Sequence, residues 1–195
     1  VYEQVAEAYM AGREKFASRG GDLKRVASVA SFFISRIDTA IDTLIAARLQ
    51  AAKNPREEGI LRGLTGKVAV ANAKLTYQRY QELFISRRWQ ALAGKGAQTQ
   101  RLLWASTSTK NPKYRDVVYV EELIGPDTVN TIPPATFEAF RDHGRPRASL
   151  TEDVDCAFDT MSALAEVGIS MKDTTNTLLA EGVQIFSDAF DKLLT

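Results

Sequence analysis

Three short apolar runs, near 26–34, 102–106 and 128–132, alternate with helical patterns, and this alternation limits what the chain can fold into. Strand and helix in alternation make an α/β protein with a parallel sheet. Three strands cannot close a barrel, so an isolated sheet of this size would keep open edges and an apolar face without a partner. The first run, Val26 to Ile34, lacks strict alternation and reads as a strand covered on both faces. The second, Leu102-Leu103-Trp104, empties into the hydroxyl tract Ser106, Thr107, Ser108, Thr109 and then Lys110, before Asn111-Pro112. Ligands of parallel α/β sheets bind beyond the carboxyl ends of the strands. The tract therefore reads either as an anionic-ligand loop or as a polar turn with a solvated lysine.

Around these runs the expected helices are 1–18, 39–53, 67–84, a short one within 116–124, and 134–143 closed by Gly144. Ser149 and Glu152 suggest a capping box for a helix over about 152–166, and 182–194 reads as a terminal amphipathic helix with Val183, Phe186, Phe190 and Leu193 on one stripe. Arg56 to Gly66 reads as a charged connection. In 67–84, Val70, Ala73, Tyr77, Tyr80 and Phe84 share one stripe, with Lys74 on another, which makes the tyrosines core residues. Gly63-Leu-Thr-Gly66-Lys67 is no phosphate loop, because Leu61 and Val68 occupy positions that need Gly and Ser or Thr.

Composition excludes several classes. With 45% hydrophobic residues the chain can bury a core, and no apolar run reaches the ~20 residues of a bilayer span. The 25 basic and 24 acidic residues are interspersed, which leaves no footprint for nucleic acid or an anionic membrane. One cysteine, Cys156, and one histidine, His143, rule out an internal disulfide, a Ser-His-Asp triad beyond His143 and a two-histidine zinc site; no metal is expected. A cytoplasmic setting follows as the expectation. His143 stands at a helix end, where it should meet terminal carbonyls.

Val26-Ala-Ser-Val-Ala-Ser-Phe-Phe-Ile-Ser-Arg-Ile-Asp38, Gly66-Lys-Val-Ala-Val-Ala-Asn-Ala-Lys74, Leu103-Trp-Ala-Ser-Thr-Ser-Thr-Lys-Asn-Pro112 and Tyr119 to Pro133 together resemble the C-terminal half of a transaldolase of the long bacterial subfamily. The resemblance runs through essentially the whole chain. It implies a single partial domain over 1–195: the C-terminal part of a (β/α)8 TIM barrel, about three βα units, with a helical insertion over 39–93 and terminal helices over 151–194. It also implies transfer of a dihydroxyacetone unit from a ketose phosphate, sedoheptulose 7-phosphate, to glyceraldehyde 3-phosphate through a lysine Schiff base, without a cofactor. That lysine lies on the family's fourth strand, so it is expected upstream of Val1 and no residue of this chain is expected to be catalytic. Lys110 and Arg36 are then implied as substrate phosphate cations, with Ser106 beside them and Ser108 as the alternative, while Ser31 and Phe33 line the active-site face. A rim salt bridge to Asp38 is the competing role for Arg36. A non-catalytic sugar-phosphate-binding fragment is the competing function. Sugar phosphates are the expected partners, with no nucleic acid and no membrane; the sequence assigns no oligomeric state.

Overall fold

The computed structural model describes residues 1–52 and 54–194. Helix α1 (Tyr2–Ser18) leads through a 3₁₀ turn at Leu23–Arg25 into β1 (Ser28–Phe33). Four helices follow: α2 (Ile34–Ala51), α3 (Pro55–Leu64), α4 (Val68–Phe84) and α5 (Arg87–Ala93). Then come β2 (Gln100–Ala105), α6 (Val118–Glu121), β3 (Thr128–Asn130), α7 (Pro134–His143), a 3₁₀ turn at Ser149–Thr151, α8 (Val154–Glu166) and α9 (Met171–Leu194). The sheet is parallel, in the order β1-β2-β3.

Register separates the two faces of the sheet. Ala30 pairs with Leu102 and Phe32 with Trp104, and these side chains enter the core. Phe32 and Trp104 meet edge to face, with ring centroids 5.8 Å apart. The alternate residues Val29, Ser31 and Phe33 stand on the other side and are exposed. The expected cover on both faces of the first strand is therefore absent among the described residues: one face packs, and the other stays open.

Several boundaries differ from expectation, each for a local reason. Helix α2 begins at Ile34 directly from the strand, so Ser35, Arg36 and Asp38 are its first turns and not a loop. Its expected end at Lys53 lies outside the described residues. The charged stretch after it is helix α3, capped by Asn54, whose Oδ1 accepts from Glu57 N at 2.8 Å, with Pro55 in the first turn. Helix α5 is capped the same way by Ser86, and its Trp89 packs on Phe84. Ser149 and Glu152 do not form a capping box. The Ser149 hydroxyl donates to the Glu121 carbonyl and accepts from Ile124 N, and Glu152 pairs with Arg147, leaving left-handed Asp153 to start α8.

Helix α4 is the centre of the packing. Val68, Ala69, Ala73, Tyr77, Tyr80, Leu83 and Phe84 join one cluster with Ile34, Ile37, Ile41 and Ile45 of α2 and with Leu102 and Trp104. Burial wraps far enough to include Lys74, expected on a polar face. Its ammonium donates to the Glu152 carbonyl at 3.0 Å and pairs with Glu122 at 3.4 Å. Helix α9 is a single helix of 24 residues, although Gly182 reads as a start; one glycine inside a helix costs only about 1 kcal/mol. The stripe Leu179, Val183, Phe186, Phe190 and Leu193 is exposed. No helix among the described residues is long and apolar enough to cross a membrane.

Candidate functional site

At the carboxyl end of the sheet, Phe33 of β1 lies level with Ala105 of β2. Because α2 starts at once, Ser35 and Arg36 are held within its first turn. The next strand turns sharply at Ser106, whose φ of 53° is left-handed, a region that costs a non-glycine residue about 1 kcal/mol or more. That turn points the Ser106 carbonyl at Ser35 N, 3.1 Å away, and so ties the two strand ends together. Thr107 is fully buried and donates to Asn130 Oδ1 at 2.8 Å, which fastens the loop to β3. Thus Asn130 supports the loop from the covered side of the sheet. Of the hydroxyl tract, Ser108 accepts from Lys110 Nζ at 3.1 Å, while Ser106 and Lys110 line the cavity.

That cavity, of about 850 Å³, lies between α2 and α9, and Ser35, Arg36, Ser106 and Lys110 close one end of it. Phe33 reaches the site indirectly: the Arg36 guanidinium sits 4.8 Å from its ring centre, a stacking that fixes the cation's direction. Ser31 stands on the open face of the sheet and is not part of the cavity wall. Among the described residues neither Arg36 nor Lys110 has a carboxylate within 4.0 Å. The wall of the same cavity also carries Asp173 and Glu181 farther from these cations, so its strand end holds the positive charge and its α9 side the negative. No cluster of three metal-ligating side chains occurs among the described residues.

The rim salt bridge between Arg36 and Asp38 does not form. Asp38 is 1% exposed; its carboxylate accepts from Ala69 N at 2.8 Å and from the Tyr119 hydroxyl at 2.8 Å. One turn on, Asp42 accepts from Gly66 N at 3.0 Å and from the Tyr114 hydroxyl at 2.5 Å. The pair therefore clamps the start of α4 and the segment after Lys110 onto α2, behind the cavity. Burial pushes both phenols up, so they remain protonated donors. Nothing in the sequence around Asp38 announces this role, because its partners lie 31 and 81 residues away. Likewise His143 meets carboxylates and not helix-end carbonyls: Asp116 at 2.9 Å and Asp142 at 3.1 Å, which hold its proton above the ordinary pH range of an imidazole.

Burial also raises the Asp38 carboxyl from 3.8 to about 6, against the opposing bonds from Ala69 and Tyr119. The folded state then holds this proton more tightly than the unfolded chain. Its contribution is complete below about pH 4 and is lost as pH rises to about 6, a fall of about 3 kcal/mol at roughly 1.4 kcal/mol per pH unit. Urea midpoints of the wild type and Asp38→Asn compared at pH 4.5 and 7 isolate this slope. The variant should be the less pH-dependent of the two, and parallel curves would defeat the assignment.

The comparisons with known proteins bear on the whole chain. The family model described as Transaldolase/Fructose-6-phosphate aldolase matches residues 1–195. The chain belongs to this family. Among its curated relatives, Transaldolase 2 of Nostoc punctiforme is 48% identical over 196 residues, covering 99% of this chain and 51% of the relative. The transaldolase of Frankia alni is 46% identical over 194 residues and that of Trichodesmium erythraeum 45% over 195, covering 50% and 51% of those proteins. The chain spans about half the length of the curated relatives it matches.

Proposed function

We propose that residues 1–195 form the phosphate-holding part of a transaldolase, the C-terminal portion of its (β/α)8 barrel. The observation that carries this reading is that Arg36 and Lys110, neither in an ion pair among the described residues, line one cavity at the carboxyl end of a parallel sheet in a chain of this family. Phosphate sites of (β/α)8 enzymes recur in the loops at this end. Arg36 would meet the phosphate with its planar fork and Lys110 as a point charge, with the Ser106 hydroxyl beside them. The open face bearing Ser31 and Phe33 would look into the barrel interior.

In the reaction so proposed, a lysine amine outside 1–195 condenses with the ketose carbonyl and releases water. The protonated imine accepts the electron pair of the breaking carbon–carbon bond, and the shortened aldose phosphate leaves. The retained three-carbon carbanion then attacks the aldehyde of glyceraldehyde 3-phosphate, and hydrolysis of the new imine frees the product. Lys110 takes no covalent part. Borohydride reduction of this chain with fructose 6-phosphate should accordingly leave every lysine unmodified by mass spectrometry. A stable sugar adduct on Lys110 would reverse its assignment from phosphate ligand to Schiff-base residue.

A further inference from the structure

We propose that the Ser35 hydroxyl is an additional ligand of a phosphate monoester, reaching it from the floor of the cavity between Arg36 and Lys110. The inference rests on the reading of that cavity as a phosphate site and adds a residue that neither the strand-end cations nor the hydroxyl tract points to.

Ser35 is 1% exposed, yet it lines the cavity, and its Oγ has no hydrogen-bond partner among the described residues. A buried hydroxyl without a partner is unfavourable, and native proteins seldom keep one without a use. Other hydroxyls on these helices show where such a group normally rests. Thr39 and Thr43 of the same helix donate to the carbonyls of Ser35 and Thr39 at 2.8 Å each, and Thr76 and Thr174 do the same four residues back in α4 and α9. Ser35 does not. Nor does it cap the helix: α2 begins at Ile34 after the N-cap residue Phe33, and no side chain caps it. The remaining partnerless buried polar atoms, on Tyr2, Gln100 and Trp104, do not line this cavity.

Position and chemistry fit the ligand. Ser35 is the second residue of an 18-residue helix, where uncapped N–H groups and the positive end of the helix dipole favour an anion. Its backbone is pinned by the bond from Ser35 N to the Ser106 carbonyl, so a rotation about χ1 alone brings the buried hydroxyl to the cavity. A phosphate monoester offers three terminal oxygens. The guanidinium of Arg36, the ammonium of Lys110 and the Ser35 O–H, donating to the ligand, supply a donor type for each.

Inorganic phosphate titrated calorimetrically into the wild type, Ser35→Ala and Arg36→Ala tests this. Ser35→Ala should weaken phosphate binding about 10-fold, roughly 1.4 kcal/mol, while its melting temperature is equal to or above that of the wild type. Unchanged affinity in Ser35→Ala alongside a loss in Arg36→Ala would remove Ser35 from the site and leave the phosphate reading standing. A lowered melting temperature with unchanged affinity would assign Ser35 a purely structural role and overturn the proposal. Wild type and Arg36→Ala binding phosphate equally would bring down the phosphate reading itself, and this inference with it.

Discussion

Trp104→Ala is expected to destabilise the fold by about 3–5 kcal/mol, the usual cost of emptying a large buried aromatic site. Trp104 is fully buried near the carboxyl end of β2, edge-on to Phe32, in the cluster that joins the sheet to α2 and α4. Its neighbours cannot collapse freely into the space, because Phe32 is itself held by strand register and by an edge contact with Tyr2. Trp104→Phe makes the decisive comparison. The indole Nε1 has no partner among the described residues, so phenylalanine gives up volume but no hydrogen bond. It should cost clearly less than the alanine variant, about 1–3 kcal/mol, because it leaves a smaller cavity. Urea unfolding read by far-ultraviolet circular dichroism measures both; equal losses for the two variants would mean that shape at this position matters little.

Arg36→Ala should lower the affinity for inorganic phosphate by roughly 30- to 150-fold, since a charge-assisted bidentate contact contributes about 2–3 kcal/mol. Arg36→Lys keeps the charge but loses the fork, and should recover only about half of that free energy. Lys110→Ala should cost about 10-fold, because its ammonium is exposed and shares its hydrogen bonds with Ser108. Stability should not follow binding. Neither cation forms an ion pair among the described residues, so melting temperatures should hold. A variant that lost both binding and stability would show that Arg36 serves the fold first.

Legibility in the sequence followed how local the deciding interaction was. Helix α7 was readable because Pro133-Pro134 and Gly144 mark its ends within the segment itself. The strand at Leu102-Leu103-Trp104 was readable as an apolar run with a polar exit. Helix α3 was hidden because its many charges and Gly59 and Gly63 masked a short-range signal that was present, Asn54-Pro55 followed by Glu57. At the site, Lys110 was legible as a cation past a strand end, whereas Arg36 was picked out through the family resemblance. The fates of Asp38 and Ser35 were not legible. Whether a polar side chain is buried, and beside what, depends on helices and loops that arrive from tens of residues away. Family membership was legible because matched residues are distributed through the whole chain.

The parallel sheet also bears on the order in which its strands can pair. Parallel neighbours need long crossovers. Ser28 of β1 meets Gln100 of β2 across 72 residues, whereas Trp104 of β2 meets Thr131 beside β3 across 27. Closing the longer loop costs about 1 kcal/mol more chain entropy. While the chain is being synthesised, β1 leaves the ribosome with four helices still to come before its partner exists. Those helices gather on local contacts, and β2 then finds β3 by the shorter route. Of the three strands, β1 thus waits longest for its neighbour β2.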